Sequence, residues 1–169
     1  MDIKKILLVA LIAVAIVASV SAVSAGLFDG LFGEEQKDNV VEIDNITFNT
    51  TNVTEFKLEN ETNEDGMSYK YYFDKNGTGY NVWIYDLNEV DNSVWVEFVK
   101  LFKQDTYDNV PCETVNGVVV YTTSAAHGEH VGEPRYESYV ENSDLNTIVR
   151  FATPDPNETA KMTLSLKFK

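Results

Sequence analysis

The first hydrophobic pattern in the chain is an unbroken apolar run from Ile6 to Ala25, which follows Lys4 and Lys5. A short basic segment before a long apolar one keeps the lysines in the cytoplasm and directs the downstream chain across a membrane. The run ends in small residues, and Val23 and Ala25 stand where a signal peptidase prefers them. Cleavage after Ala25 is therefore our first prediction for this segment.

The length of the run keeps a second interpretation open. A spanning helix needs about 20 apolar residues, so residues 1–25 are either a signal peptide or a membrane anchor. In the second case, residues 6–25 hold the protein in the membrane. Both interpretations place the rest of the chain outside the cytoplasm, either secreted or anchored to the cell membrane by its N-terminus. Residues 26–39 contain glycines among charged residues and are predicted to be a linker to a domain over residues 40–169.

Beyond the linker, apolar and polar residues alternate in short stretches, as is typical of β-strands. The change of phase at Asp44-Asn45, between the pairs Val41/Ile43 and Ile46/Phe48, predicts a turn or a bulge. Residues Met67 to Phe73 alternate next, with Met67, Tyr69, Tyr71 and Phe73 in one phase.

Turn residues then predict how the following strands connect. Asp74–Gly77 predicts a hairpin into Tyr80–Tyr85. This second strand is apolar on both faces, which predicts a central strand that is covered on each side. Asn116-Gly117 marks a further tight turn, and alternation returns around Tyr136–Val140 and Val149–Phe151.

Two stretches depart from the strand pattern. From Ser93 to Gln104 the period is that of an amphipathic helix capped by Ser93 or Asp91, with an apolar side formed by Val94, Trp95, Phe98, Leu101 and Phe102. The residues Asp155 to Glu158 supply a cap, a proline and an acid that begin a helix, although Met162–Phe168 alternates as a strand would. We favour a helix from Pro156 to about Ser165, followed by an extended tail.

These elements predict an α+β domain in which a mostly antiparallel sheet packs against one or two helices. An N-terminal hydrophobic signal or anchor helix precedes this domain. About 130 residues suffice for a core that buries roughly two thirds of the unfolded surface.

Composition narrows the range of partners. The whole chain has a formal charge of −14, and removal of residues 1–25 leaves 11 basic and 26 acidic residues, a charge of −15. Such a surface repels phosphate backbones, which argues against nucleic acid as a partner. Cys112 is the only cysteine, so no intramolecular disulfide forms. We expect this cysteine to be a small buried hydrophobic residue.

The sequence contains more glycosylation motifs than its composition predicts by chance. Six Asn-X-Ser/Thr motifs begin at Asn45, Asn49, Asn52, Asn60, Asn76 and Asn157. In an exported protein these asparagines are candidate acceptors for glycans, against the alternative of an Asn- and Thr-rich composition without glycans. In the predicted strand, Asn45, Thr47 and Asn49 alternate with the apolar residues and should face solvent.

Both histidines of the chain lie in one short stretch, His127-Gly128-Glu129-His130. Neutral imidazole and carboxylate groups bind Zn²⁺, Ni²⁺ or Cu²⁺, so His127, Glu129 and His130 are a candidate divalent metal site. The neighbouring glycines and proline predict a loop rather than the helix of a metalloprotease, and a solvated loop without metal is the competing interpretation. No other cofactor is expected.

No catalytic pattern emerges from the remaining residues. The sequence contains no Gly-X-Ser-X-Gly elbow and no phosphate-binding glycine loop. Asp74, Asn76 and Thr78 match the start of a calcium-binding EF-hand loop, but Tyr85 stands where that loop requires a bidentate glutamate. We interpret the aromatic residues, including Trp83 and Trp95, as core rather than as the lining of a ligand groove.

Four stretches, Gly26-Leu27-Phe28, Lys75–Tyr85, Val115–Val118 and Glu158–Lys169, resemble those of a group of small exported proteins from methanogenic archaea. The resemblance covers most of the chain after residue 25 and includes an uncharged leader and an Asn/Thr-rich domain. It implies an archaeal surface protein, and it assigns no activity and no functional residue. The order of strands and helix is also similar to that of photosystem-accessory and nuclear-import families with a PsbP-like fold, as an analogy of architecture only.

These observations together predict a non-catalytic envelope or interaction domain at the cell surface, with an envelope component as its partner. The alternative is an extracytoplasmic ligand-binding or metal-binding sensing module. An enzyme such as a hydrolase is the third and least favoured hypothesis, because no catalytic constellation supports it.

Overall fold

A computed structural model describes residues 38–64, 66–87, 90–125 and 131–169. The predicted leader (residues 1–25) and most of the predicted linker lie outside these residues, so both stay predictions. None of the helices within the described ranges is long and apolar enough to cross a membrane. The described residues belong to one compact unit, Asp38–Lys169.

The described chain forms ten strands and two helices. In chain order these are β1 (Asn39–Ile43), β2 (Ile46–Thr50), β3 (Phe56–Glu64), β4 (Met67–Asp74), β5 (Asn81–Leu87), α1 (Asn92–Tyr107), β6 (Cys112–Val115), β7 (Val118–Ser124), β8 (Pro134–Asn142), β9 (Thr147–Thr153), α2 (Pro156–Ser165) and β10 (Lys167–Phe168). A three-stranded sheet has the order β1-β2-β10, and a seven-stranded sheet has the order β3-β4-β5-β9-β8-β7-β6. All pairings are antiparallel, which confirms the predicted α+β class.

The tight turns lie where the sequence predicts them. Asp44, at the turn between β1 and β2, has a φ of 48°. Asn116 and Gly117 have φ values of 52° and 86° between β6 and β7. Two successive residues with positive φ match the right-handed twist of the flanking strands, which explains the preference for Asn-Gly at this position. Both hairpins follow from local sequence alone.

The seven-stranded sheet is covered on both faces. Its first face packs against the three-stranded sheet, with residues of both sheets in one hydrophobic cluster: Val41, Ile43, Ile46, Phe48, Val53, Tyr72, Tyr80, Val82, Ile84, Val149, Phe151 and Met162. Within this cluster the rings of Phe48 and Phe151 lie 5.0 Å apart. Helix α2 continues the layer, since Ala160 packs with Val118 and Val120. Helix α1 lies on the opposite face, with Trp95, Val99, Phe102 and Tyr107 buried.

Strand β5 is an inner strand of the seven-stranded sheet and contributes to the clusters on both faces, as its composition predicts. Strand β4 behaves differently. Its alternating residues Tyr69, Tyr71 and Phe73 are half-buried on the α1 side, whereas the fully buried positions are Tyr72 and Asp74 on the other phase. On that side Tyr72 packs in the hydrophobic cluster, and its hydroxyl donates to Asp44 Oδ2 at 2.8 Å.

Helix α1 differs in detail from its prediction. It extends to Tyr107, with Asp91 at the N-cap position but without a capping hydrogen bond from its side chain. Val94 and Leu101, predicted on the buried side, are 49% and 45% exposed, and Val99 is buried instead. The buried positions follow the wide aromatic face of the sheet rather than the narrow stripe inferred from the sequence.

A second correction concerns Cys112. We expected a buried residue, but Cys112 begins the edge strand β6 and is exposed. A four-residue edge strand has one side without a neighbour, so its side chains are less covered than those of inner strands.

The C-terminal prediction is confirmed. Helix α2 runs from Pro156 to Ser165, and Asp155 caps it by accepting a hydrogen bond from the Asn157 N–H at 2.8 Å. Glu158 does not close a capping box. It is buried and accepts a hydrogen bond at 2.9 Å from the N–H of Thr51, which ties the helix to the end of β2. The tail then pairs with β2 as β10.

Candidate functional site

The face of the large sheet toward α1 is rich in aromatic residues because one phase of four strands carries them. Aromatic rings project from β4, β5, β7 and β8, and α1 adds its own rings from above. Phe102 of α1 is in edge-to-face contact with Tyr85 at 5.3 Å and with Tyr139 at 5.3 Å.

A buried ion pair lies at the centre of this face. Arg150 on β9 donates from Nε and Nη2 to Glu137 Oε2 on β8, at 2.9 and 2.5 Å. The second carboxylate oxygen accepts from Thr123 Oγ1 at 2.8 Å. The Arg150 guanidinium also stacks on the ring of Trp83 at 4.3 Å. Both carboxylate oxygens of Glu137 accept hydrogen bonds, and the ion pair forms the polar centre of an aromatic layer.

An open groove of about 620 Å³ lies between α1 and strands β7 and β8. Its volume is within the range of small-molecule sites. Its lining combines one side of α1 with the sheet: Val96, Val99, Lys100, Lys103, Gln104, Tyr107, Asp108, Tyr121 and Tyr139. We call it the tyrosine groove.

Three nearly parallel tyrosine rings form one wall of the tyrosine groove. Tyr107 lies 4.1 Å from Tyr121 with 23° between the ring planes, and 5.2 Å from Tyr139 with 13° between them. Tyr107 is buried, whereas Tyr121 and Tyr139 are half-buried and keep part of their surface open to the groove. Stacked rings of this kind offer apolar area at little cost in conformational entropy.

Burial raises the pKa of two tyrosines in this wall, Tyr107 and Tyr139. It raises the pKa of Tyr107 far above its ordinary value, with Arg150 opposing this effect and Glu137 adding to it. Burial also raises the pKa of Tyr139, and the neighbouring Tyr121 raises it further. Both phenols therefore stay neutral at physiological pH. They are suited to stacking and hydrogen bonding rather than to accepting a proton as a base.

These raised pKa values predict that the fold loses stability in alkali. The stability from holding Tyr107 and Tyr139 neutral is fully present below pH about 10, the pKa of an unfolded tyrosine. It decreases above that pH, because the unfolded chain releases protons that the folded chain retains. The slope is about 1.4 kcal/mol per pH unit for each such tyrosine.

Denaturant unfolding between about pH 9 and about pH 11 measures this slope. The Tyr107→Phe variant removes one titrating group and should show a shallower decrease than the wild type. An equal slope in the two proteins would contradict the assignment to Tyr107.

The rim of the tyrosine groove carries charges of both signs, since Lys100 and Lys103 line it together with Asp108. Lys103 forms an ion pair with Glu141 at 2.7 Å and lies 5.9 Å above the ring of Tyr139. Lys100 pairs with Glu97 at 3.2 Å, one helical turn away. Both lysines are exposed on α1, so their ammonium groups remain accessible to a ligand.

The predicted glycan acceptors all lie within described residues. Their side chains are half-buried at Asn45 and Asn49 and exposed at Asn52, Asn60, Asn76 and Asn157. Asn49 lies on the face of β2 opposite the buried Ile46 and Phe48, as predicted, although part of its surface is covered. Whether any of these asparagines carries a glycan stays a prediction.

The candidate metal residues His127, Glu129 and His130 lie outside the described residues. Among the residues that the structure does describe, no group of three or more histidine, cysteine, aspartate or glutamate side chains is placed to hold a metal ion. The metal site therefore stays a prediction, which the metal content of the native protein would test.

Sequence reasoning missed the tyrosine groove. Its three rings come from the end of α1 and from two separate strands, and Tyr139 occupies the more polar phase of its strand, with Arg135, Glu137 and Glu141. One pattern did point to them: aromatic residues at strand positions where a solvated face would carry polar residues. A comparison of the chain with known protein families, curated proteins and solved structures found no match.

Proposed function

We propose that this protein is a non-catalytic interaction domain outside the cytoplasm, and that it binds a component of the cell envelope in the tyrosine groove. Its location rests on the sequence, where Lys4 and Lys5 precede the apolar run Ile6–Ala25. The single observation that supports binding is the open groove with stacked tyrosines.

The chemistry of the groove favours a particular kind of ligand. Tyrosine rings present flat apolar surface, and their neutral hydroxyl groups donate and accept hydrogen bonds. Lys100, Lys103 and Gln104 add further donors along one side. A ligand with a flat apolar face and several hydroxyl groups satisfies all of these, as the sugar units of an envelope polysaccharide do.

Binding also accounts better than catalysis for the charged groups near the groove. Glu137 and Arg150 are committed to each other and to Thr123. The pKa of Tyr107 is raised rather than lowered toward neutrality, whereas a catalytic acid or base works best with a pKa near the operating pH.

Co-sedimentation of the purified domain with native cell envelopes tests the proposal. The wild-type domain should sediment with the envelopes, and Tyr121→Ser should weaken binding by about tenfold or more, since loss of a stacked ring costs about 1.4 kcal/mol or more. Tyr121 suits this test because it is half-buried and its loss should leave the fold intact.

Leu145→Ser is the control, because Leu145 is an exposed apolar residue in the turn between β8 and β9 and does not line the tyrosine groove. It should bind as the wild type does. Equal binding by wild type and Tyr121→Ser, or no binding by either, would overturn the proposal. Turnover of a substrate that is lost in a groove variant would replace it with an enzymatic function.

A further inference from the structure

A second aromatic surface lies on the same face of the sheet, separated from the tyrosine groove across the sheet by strand β9. Its rings are Tyr69, Tyr71 and Phe73 of β4 and Trp83 of β5, which we call the aromatic strip. All four are half-buried, and they lie outside the hydrophobic cluster around α1. Half-covered rings of this number are unusual on a solvated sheet and call for an occupant.

The centre of the aromatic strip is well ordered by its neighbours. Tyr71 and Trp83 are directly paired across β4 and β5, and their rings stack at 5.2 Å with 22° between the planes. The Arg150 guanidinium covers the other face of Trp83 at 4.3 Å. The Tyr71 hydroxyl donates to Asn81 Oδ1 at 2.6 Å. Arg150, Trp83 and Tyr71 therefore form a row of stacked groups across the strands. The row ends at Tyr71, whose outer side faces β3.

The residue opposite Tyr71 on β3 is Asn60, a predicted glycan acceptor. Directly paired residues of antiparallel strands project from the same face, with Cβ atoms about 5 Å apart. The neighbouring pair confirms that the side chains alternate between the two faces of the sheet, since Glu61 Oε1 lies 3.8 Å from Lys70 Nζ on the other face. Asn60 thus projects beside the Tyr71 ring and continues the row.

Asn60 is also accessible. Strand β3 is an edge of the large sheet, and Asn60 is exposed immediately after a register irregularity at Leu58/Asn60. An exposed edge with unpaired backbone groups is a site of unwanted strand pairing, which proteins block by charge, irregularity or a covering group. The charged residues of β3 protect this edge by charge, and the bulge in β3 protects it by irregularity.

We propose that Asn60 carries an N-linked glycan whose first sugar ring packs against Tyr71 and extends over the aromatic strip. The Asn60 Nδ2 atom forms a bond to the anomeric carbon of a lipid-linked glycosyl phosphate donor. The bond between that carbon and the phosphate oxygen breaks, and the amide proton leaves with the released phosphate. The apolar face of the sugar then replaces water on the ring of Tyr71.

The proposal shares only the extracytoplasmic location with the proposed function and does not involve the tyrosine groove. Envelope binding through Tyr121 and glycosylation at Asn60 can therefore fail independently. The glycan also provides β3 with a covering group, which blocks the free edge of the sheet.

The test uses the full chain produced in its native host. Mass spectrometry of peptides should find a glycan on Asn60, and Asn60→Gln should lower the melting temperature by about 3 °C, as expected for a loss of about 1 kcal/mol in a domain of this size. The same loss should be absent in a Tyr71→Ser background, because the ring that the sugar contacts is then missing.

Asn76→Gln provides the matched control, because Asn76 is an exposed acceptor in a turn rather than opposite a ring on a neighbouring strand. The Asn76→Gln substitution should lower the melting temperature by the same amount in the wild type and in the Tyr71→Ser background. An unmodified Asn60 in the native protein would overturn the proposal. So would a glycan on Asn60 whose removal has the same effect with and without Tyr71.

Discussion

Replacement of Glu137 by alanine is expected to lower the free energy of unfolding by about 3–5 kcal/mol, because it leaves the Arg150 charge buried without a partner. Glu137 is 3% exposed and accepts both guanidinium hydrogen bonds as well as the one from Thr123. The aromatic rings of Trp83 and Tyr107 around Arg150 do not replace a carboxylate as acceptor. Denaturant unfolding followed by circular dichroism measures the loss.

Two further variants separate the cost of an unpaired charge from the value of the pair. The double variant Glu137→Leu/Arg150→Met removes both charges and should recover most of the lost stability, since apolar replacements of buried pairs are often neutral. Glu97→Ala removes the partner of Lys100 in an exposed pair and should cost less than about 0.5 kcal/mol. A single Glu137→Ala loss as small as that of Glu97→Ala would contradict a buried ion pair.

The hairpins and α2 were predictable because their determinants are local. Asn116-Gly117 specifies a turn through the φ values that only such residues adopt easily. The cap Asp155 and the proline that follows it define the start of α2 within four residues. In each case the residues that determine the geometry are neighbours in the chain.

The aromatic layer could not be predicted in the same way, because its members meet only after folding. Glu137 and Arg150 lie on adjacent strands of the sheet, and nothing in either strand identifies the other as its partner. The phase of β4 was ambiguous for a similar reason, since Tyr71 and Tyr72 are equally bulky. Tyr72 is buried among residues of β1, β2 and β5, which meet it only in the folded chain.

The sequence also left open what Asp74 does, beyond its place in a predicted turn. Its carboxylate is 1% exposed and accepts three backbone hydrogen bonds. Oδ1 accepts from the N–H groups of Asn76 and Thr78, both at 3.0 Å, and Oδ2 accepts from that of Tyr80 at 2.9 Å. One side chain thus accepts from three of the six backbone N–H groups in the connection between β4 and β5, residues 75–80.

Replacement of Asp74 by alanine should therefore cost about 3 kcal/mol of unfolding free energy. A hydrogen bond to a charged group contributes about 1.5–3 kcal/mol, and water can replace the acceptor only at the exposed residues Asn76 and Thr78. The N–H of Tyr80 is attached to a residue that is 4% exposed, and it would lose its side-chain acceptor inside the fold. Denaturant unfolding of the variant gives the loss directly.

Asp74→Asn tests whether the acceptor oxygens or the charge stabilise the turn. An asparagine keeps one oxygen acceptor but places an NH₂ group against a backbone donor, so its loss should lie between zero and that of alanine. The neighbouring Lys75→Ala is the matched control, since its ion pair with Glu55 is exposed and its removal should stay within about 0.5 kcal/mol. If Asp74→Ala were no more harmful than Lys75→Ala, the three hydrogen bonds would not hold the hairpin, and its geometry would have to come from Gly77 and Gly79, which have φ values of 68° and 89°.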